Sequence, residues 1–145
     1  MPLLSAAELN LFLDRHFPQL FAEGEPLIVV ESTGEMEAVL RLVEHDRHLR
    51  PGGTISGPAM FTLADVGLYA TILAQIGPVG HAVTTSMNMN FMRKPPAGDL
   101  VARCRLFKLG KQLAVGEACL YPDGSAEMVA HATGTYSIPP KDTVL

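Results

Sequence analysis

The sequence has few of the residues that build disulfide frameworks, zinc sites or nucleic-acid-binding surfaces. It contains only two cysteines, Cys104 and Cys119, and no run of lysine and arginine. With a formal net charge of −4, the chain lacks the positive patch that nucleic-acid binding requires. The two cysteines do not show the spacing of a disulfide framework or a zinc site, and we expect both to be small, buried apolar side chains.

Targeting and membrane signals are also scarce. Residues 1–13 include Glu8 and have no basic segment, so they do not resemble a signal peptide. Residues 57–80 are almost wholly apolar and about long enough to span a bilayer, but their flanks are not basic. Asp65 would lie well inside that bilayer, at a cost on the order of 3 kcal/mol at its centre. We therefore predict a cytoplasmic protein with no membrane partner and a buried central helix.

Size and composition suit one globular domain. Of the 145 residues, 48% are hydrophobic and 18% are charged, which is the balance of a folded chain with its own core. Neither a linker nor an internal repeat is visible. We predict a single domain over residues 1–145, with an N-terminal helix at about 5–17 and a core at about 25–138.

Hydrophobic periodicity gives the order of the elements. Ser5 and Glu8 form a capping-box pattern that begins the first helix, and Gly77 lies where the long central helix should end. The predicted central helix covers residues 56–76, and the predicted strands cover about 27–32, 35–44, 81–92, 99–108, 112–121 and 126–138.

This order predicts an α+β fold. A helix that is apolar nearly all round must be covered on all sides, and a strongly bent antiparallel sheet wrapped round it would do so. An edge strand of such a sheet could pair with a second subunit.

Asp65 is the one charged residue between positions 57 and 80. A lone carboxylate on an apolar helix costs free energy unless something specific pairs or solvates it. Its face could meet water or a buried arginine at a subunit interface. Alternatively, it faces a mostly dry cleft, where a carboxylate can activate water or attack an acyl group.

The start of the central helix is the second chemical feature. Ser56 is a good N-cap and Pro58 suits the first turn, so ordinary capping accounts for both. The Gly57 N–H carries partial positive charge and could hold a carbonyl oxygen that becomes negative during acyl transfer. Gly57 and Asp65 are roughly 12 Å apart along one helix, too far for one thioester carbon. Two antiparallel copies would bring them together, so we predict at least a homodimer.

The motifs resemble those of a known family. The segments GTISGPAMFTLAD (residues 53–65) and TTSMNMNFMRKP (84–95) look like the helix and following strand of the PaaI-type hotdog-fold acyl-CoA thioesterases, and FKLGK (107–111) and AHATGTY (130–136) resemble their later strands. The resemblance covers about residues 35–138.

The resemblance implies a hotdog fold, homodimers often paired into homotetramers, and hydrolysis of acyl-CoA or aryl-CoA thioesters without a metal or cofactor beyond the coenzyme A of the substrate. By this resemblance, Asp65 is the general base or nucleophile, and the Gly57 amide polarises the thioester carbonyl. Thr84 lies where a hydroxyl helps position water. The basic residues Arg93, Lys108 and Lys111 become candidates for binding the coenzyme A phosphates, or else are plain solvated charges.

The chain departs from the family pattern at the helix start. Where the family commonly has His-Gly-Gly, this sequence has Ser56-Gly57-Pro58, and Pro58 has no N–H to donate. Where the family often has an Asn or Gln before the motif, the nearest match is Arg50. Ser56 and Arg50 are therefore candidate substrate-binding residues, and slow turnover, an altered substrate range or loss of catalysis all stay open.

Two other functions compete with hydrolysis. A non-catalytic hotdog protein could bind an acyl-CoA or another apolar ligand without cleaving it. A hydratase on the same fold is disfavoured, because no Asp and His pair occurs between residues 53 and 65.

None of the five histidines falls in a two-histidine zinc pattern, and no Gly-x-Ser-x-Gly elbow is present. His45 and His48, in the loop before the helix, could reach the cleft.

Overall fold

The computed structural model describes residues 2–79 and 81–140. Two helices, α1 (Ala6–His16) and α2 (Gly57–Ile76), accompany a short hairpin of β1 (Phe21–Ala22) and β2 (Glu25–Pro26). Six longer strands follow in chain order: β3 (Ile28–Gly34), β4 (Glu37–Leu42), β5 (Val83–Phe91), β6 (Leu100–Leu109), β7 (Leu113–Pro122) and β8 (Ala130–Ser137). Single 3-10 turns lie at Pro18–Leu20 and Asp46–His48.

The six longer strands form one antiparallel sheet in the order β3-β4-β6-β7-β8-β5. Along β4, Ala38, Leu40 and Leu42 are buried while the residues between them are not, as the alternation in the sequence predicted. The side chains on the same face of the neighbouring strands also pack against α2, and together they form the core. The α+β hotdog fold, with a bent sheet round one long helix and an extra N-terminal helix, is confirmed.

Helix α2 begins and ends where the sequence predicted. The Ser56 side chain accepts a hydrogen bond from the Ala59 N–H at 3.2 Å, and the positive φ of Gly77 (+99°) closes the other end. This helix is long and apolar enough to cross a membrane, but most of its side chains are buried inside the fold. Its apolar character is therefore explained by its place at the centre of the core.

Two glycines allow α2 and the sheet to approach closely. A Cβ at Gly67 would stand 2.6 Å from the Cys104 Sγ of β6, and one at Gly116 of β7 would stand 3.1 Å from the Leu68 side chain of α2. Neither site has room for a side chain without displacement of its neighbours. The close approach fixes the height of α2 above the sheet, and with it the position of Asp65, half a turn before Gly67.

The N-terminal helix is anchored to the sheet as well as capped. The capping box forms as predicted, with Glu8 N–H donating to Ser5 Oγ and Ser5 N–H donating to Glu8 Oε1. Leu9 and Leu13 are buried, and the Asn10 side chain makes two hydrogen bonds with the Val30 backbone at 2.8 and 2.9 Å. These contacts hold the segment that follows α1 against α2. That one domain spans residues 1–145 stays a prediction.

Candidate active site

The Asp65 carboxylate is held by two hydroxyl groups. Its Oδ1 accepts hydrogen bonds from Thr84 Oγ1 at 2.6 Å and from Tyr136 Oη at 2.7 Å. The Tyr136 hydroxyl also lies 2.8 Å from the Asp65 carbonyl oxygen, so its single proton is shared between the two acceptors. Asp65 thus receives specific partners from β5 and β8, the two strands at one side of the sheet.

The other carboxylate oxygen, Oδ2, has no hydrogen-bond partner among the residues that the structure describes. Asp65 is half-buried and lines a cleft of about 530 Å³. Two donors on one oxygen fix the plane of the carboxylate and leave the second oxygen free to accept a proton or to attack. No arginine among the described residues of the same chain pairs with Asp65; an arginine at a subunit interface stays a prediction.

A β-bulge brings Thr84 to Asp65. The plain alternation of the sequence put Val83 and Thr85 on the same face as Met87, which would turn Thr84 away from α2. In the structure the register of β5 against β8 shifts between Thr84 and Ser86, so Thr84 faces the helix together with Met87. Bulges commonly re-aim a side chain next to an active site in this way.

Tyr136 is the site residue that sequence reasoning missed. It is 1% exposed, and its pKa is raised by burial first and by the adjacent Asp65 charge second. It therefore stays a protonated donor at any ordinary pH. The sequence does contain a signal for it, because Ala130, Ala132, Gly134 and Tyr136 alternate along the buried face of β8. A buried tyrosine hydroxyl needs a polar partner.

The N-terminal segment forms one wall of the cleft. Phe17 and Gln19 line it, and the Phe17 ring meets the Tyr69 ring of α2 edge to face, with centroids 6.1 Å apart. Beside Asp65 the remaining wall comes from Val66 of α2 and Val83 of β5. The cleft thus combines aromatic and aliphatic side chains with the polar groups of His16, Gln19 and Thr84 around one carboxylate. No site role for residues 16–19 was predicted from the sequence.

The start of α2 lies at a different place from Asp65. A Cβ on Gly57 would stand 3.6 Å from the Phe91 ring, so the helix start packs beside the far end of β5. Ser56 lines a smaller cavity of about 250 Å³ together with His48. His48 is 7% exposed, and its Nε2 has no hydrogen-bond partner among the described residues. Its pKa is lowered, first by burial and then by the charges of His45 and Arg47. It does not line the Asp65 cleft.

The predicted phosphate-binding residues do not gather within one chain. Arg50 is exposed in the loop before α2. Arg93 follows the end of β5 and forms a 3.5 Å ion pair with Glu127. Lys108 and Lys111 are exposed around the β6–β7 turn, at the opposite end of the sheet, where β5 begins. Any joint role would need a second copy.

A bent antiparallel sheet round one helix, with a carboxylate on that helix facing a cleft, is the arrangement of hotdog-fold thioester hydrolases. The chain belongs to the thioesterase superfamily, whose sequence profile matches residues 52–129, more than half of its length.

Comparison with individual proteins also relates this chain to esterases and thioesterases. A Pseudomonas aeruginosa protein provisionally named an esterase is 31% identical over 106 residues, covering 72% of this chain and 78% of its own. A Silicibacter protein provisionally named a thioesterase has a solved structure that is 43% identical with a TM-score of 0.84, covering 97% and 95%.

The resemblance to PaaI proteins is also confirmed. A mutant of the phenylacetic acid degradation protein PaaI from Thermus thermophilus is 26% identical, with a TM-score of 0.67 and coverage of 77% of this chain and 93% of that one.

Proposed function

We propose that this protein is an acyl-CoA thioesterase that hydrolyses the thioester of an acyl-CoA or aryl-CoA. The observation that carries the proposal is the Asp65 carboxylate, with one oxygen fixed by two hydroxyls and the other free at a cleft with an apolar wall. The substrate brings the coenzyme A, and the reaction as proposed uses no other cofactor.

In this proposal Asp65 can act as a general base or as a nucleophile. As a general base, its Oδ2 takes a proton from water while the hydroxide formed attacks the thioester carbonyl carbon. As a nucleophile, Oδ2 attacks that carbon itself and gives a mixed anhydride, which water then hydrolyses. In both routes the carbon–sulfur bond breaks, coenzyme A leaves as a thiolate that takes up a proton, and the acyl group leaves as a carboxylic acid.

The Gly57 amide polarises the thioester carbonyl in this proposal, and it comes from a second copy of the chain. Strand β5 ends the sheet, so its free edge can pair with the same strand of another copy. Antiparallel self-pairing of Val83–Phe91 sets Phe91 of the second copy opposite Val83. Because Gly57 packs against Phe91, the second copy's Gly57 then lies beside Thr84 and Asp65.

The same pairing brings the basic residues into reach of one substrate. Arg93 lies just beyond Phe91, so the second copy's Arg93 approaches the end of the sheet that carries Lys108 and Lys111. We propose that these residues, with Arg50, bind the coenzyme A phosphates at the mouth of the cleft. A homotetramer of two such dimers in the cytoplasm completes the proposal.

Asp65→Asn tests the proposed function. The amide keeps an oxygen for Thr84 and Tyr136 but cannot take a proton or attack, so we expect thiol release from acyl-CoA and aryl-CoA substrates to fall by about 10²–10⁴-fold. A thiol-detecting dye measures the release, and circular dichroism checks the fold. Asp14→Asn, at an exposed position of α1, is the matched control and should keep full activity. Undiminished turnover in Asp65→Asn would refute the thioesterase.

A binding module is the second candidate, and one observation favours it. The Ser56 hydroxyl, at the position of the family histidine, accepts the Ala59 N–H and so serves as a helix cap. If acyl-CoA analogues bind in calorimetry while no substrate of a broad panel releases thiol, the chain holds its ligand without cleaving it.

A further inference from the structure

The outer face of the sheet carries a cluster of metal-ligating side chains that the proposed reaction does not use. Glu117 and Cys119 lie two residues apart on β7, and His131 on β8 is the direct cross-strand neighbour of Cys119. Ala118 and Ala132, which alternate with them, are fully buried against the core. The cluster therefore points away from α2 and from the Asp65 cleft.

The donor atoms converge. Glu117, Cys119 and His131 each offer one ligand atom, and all three atoms lie within 4.8 Å of one another. His131 Nε2 is 2.9 Å from Glu117 Oε1. Each residue is half-buried, so water and ions can reach the cluster while the strand backbone holds it.

We propose that Glu117, Cys119 and His131 form a binding site for a divalent transition-metal ion, with Zn²⁺ as the best match. Thiolate and imidazole ligands select zinc over magnesium or calcium. Ligand atoms bound at about 2.0–2.3 Å in tetrahedral geometry lie roughly 3.5 Å from one another. The His131 and Glu117 atoms, now 2.9 Å apart, would separate slightly on binding, and the Cys119 sulfur already lies within 4.8 Å of both. On binding, the Cys119 thiol releases its proton to solvent, and His131 gives up its Nε2 proton and binds as a neutral imidazole that keeps a proton on Nδ1. Water fills the fourth position.

The surroundings prepare the carboxylate for this role. The Glu117 carboxylate is held at both oxygens, by His131 Nε2 at Oε1 and by Arg105 at Oε2. Arg105 donates to Glu117 Oε2 at 3.1 Å and lies over the Phe107 ring, 5.3 Å from its centroid. Arg105 thus orients the carboxylate through its far oxygen, as outer partners of metal ligands do, and the metal would take the place of the His131 N–H at Oε1.

A network of Glu117 with Arg105 and His131 is the alternative explanation of the cluster. It accounts for the carboxylate and the imidazole, but it gives no part to Cys119, whose thiol has no hydrogen-bond partner among the described residues. The sequence patterns predicted no metal site, because the three ligands come from two strands and their spacing forms no recognisable motif.

Cobalt titration of the full chain tests the site. Co²⁺ bound to a thiolate shows a sulfur-to-cobalt charge-transfer absorption and strong visible bands when tetrahedral, and added Zn²⁺ should abolish both. We expect one equivalent per chain in the wild type, no charge-transfer band in Cys119→Ser, and at least tenfold weaker binding in His131→Gln and Glu117→Gln. Cys104→Ala, which removes the other cysteine, should keep the band. No band in the wild type, or the same band in Cys119→Ser, overturns the proposal.

A second measurement uses the wild type and does not depend on the folding of a variant. Iodoacetamide labelling of Cys119, read by peptide mass spectrometry, should slow at least tenfold when Zn²⁺ is added. The buried Cys104 should label slowly under both conditions. Equal rates of Cys119 labelling with and without Zn²⁺ would overturn the proposal.

Discussion

At the scale of single residues, the orientation of one carboxylate determines what the site can do. Oδ1 of Asp65 accepts from both Thr84 and Tyr136, and this arrangement leaves Oδ2 to the substrate. Tyr136 is a positioning residue in this account, because its hydroxyl touches the catalytic carboxylate and is buried below it. The same contact makes the last strand of the sheet part of the proposed catalytic site.

Tyr136→Phe should lower kcat by about 10–100-fold, since a hydrogen bond to a charged group is worth about 1.5–3 kcal/mol. KM should change little, because the tyrosine lies beneath the carboxylate and does not line the cleft. Steady-state kinetics with a thiol-detecting dye measures both constants.

Variants at two further positions separate this role from simple destabilisation. Tyr121→Phe, on the outer face of β7, should leave kcat unchanged. At the second donor, Thr84→Val should lower kcat, whereas Thr84→Ser should restore most of it because the hydroxyl is kept. If Thr84→Ser were as slow as Thr84→Val, the hydrogen bonds to Oδ1 would not be what positions Asp65.

At the scale of elements, the segment before α2 carries a pH-sensitive contact. His48 is buried and its folded pKa lies below the ordinary value, so protonation favours the unfolded chain. The stability is therefore full above the unfolded pKa of about 6.5 and falls as pH drops below it. We expect thermal melts to show a Tm that falls as the pH drops below about 6.5.

His48→Asn should flatten that part of the pH dependence, because the amide fills the site without gaining charge. His81→Asn, at an exposed histidine, serves as the control and should follow the wild-type curve. An identical acid-side slope in His48→Asn and the wild type would show that other groups cause the loss.

Sequence patterns predicted the elements better than they predicted the site. Capping at Ser5 and Ser56, the stop at Gly77 and the alternation of β4 depend on neighbouring residues, and all three kinds of signal were correct. The contact of Asp65 with Tyr136 joins residues 71 positions apart, and the turn of Thr84 towards the helix depends on a bulge. Neither follows from local periodicity, because both are set by how the strands align in the finished sheet.

The N-terminal segment is a second example of structure that local sequence patterns do not predict. The sequence predicted α1 and its buried face, but not the β1–β2 hairpin or the 3-10 turn that bring Phe17 and Gln19 to the cleft. Elements of two or three residues have too little periodicity to be recognised. Their positions follow from the packing of α1 on β3, which Asn10 fixes through the Val30 backbone.

At the scale of the whole molecule, the proposed active site needs two copies of the chain. Gly57 and Asp65 lie at different places on one helix, and the free edge of β5 offers the antiparallel pairing that brings them together. Val83 and Phe91, 55% and 50% exposed, are the apolar side chains that such a pairing would cover. We therefore predict a dimer in analytical ultracentrifugation.

Mixing two inactive variants tests the shared site directly. Asp65→Asn removes the carboxylate, and Gly57→Pro removes the amide at a helix position whose N–H has no partner within the helix, so the fold should tolerate it. A hybrid dimer keeps one intact site, made from the Asp65 of one chain and the Gly57 of the other. Co-refolded in equal amounts, the two variants should regain about a quarter of the wild-type activity, because half of the dimers are hybrids with one of two sites intact. Mixtures that stay as inactive as their parents would mean that each chain builds its own site.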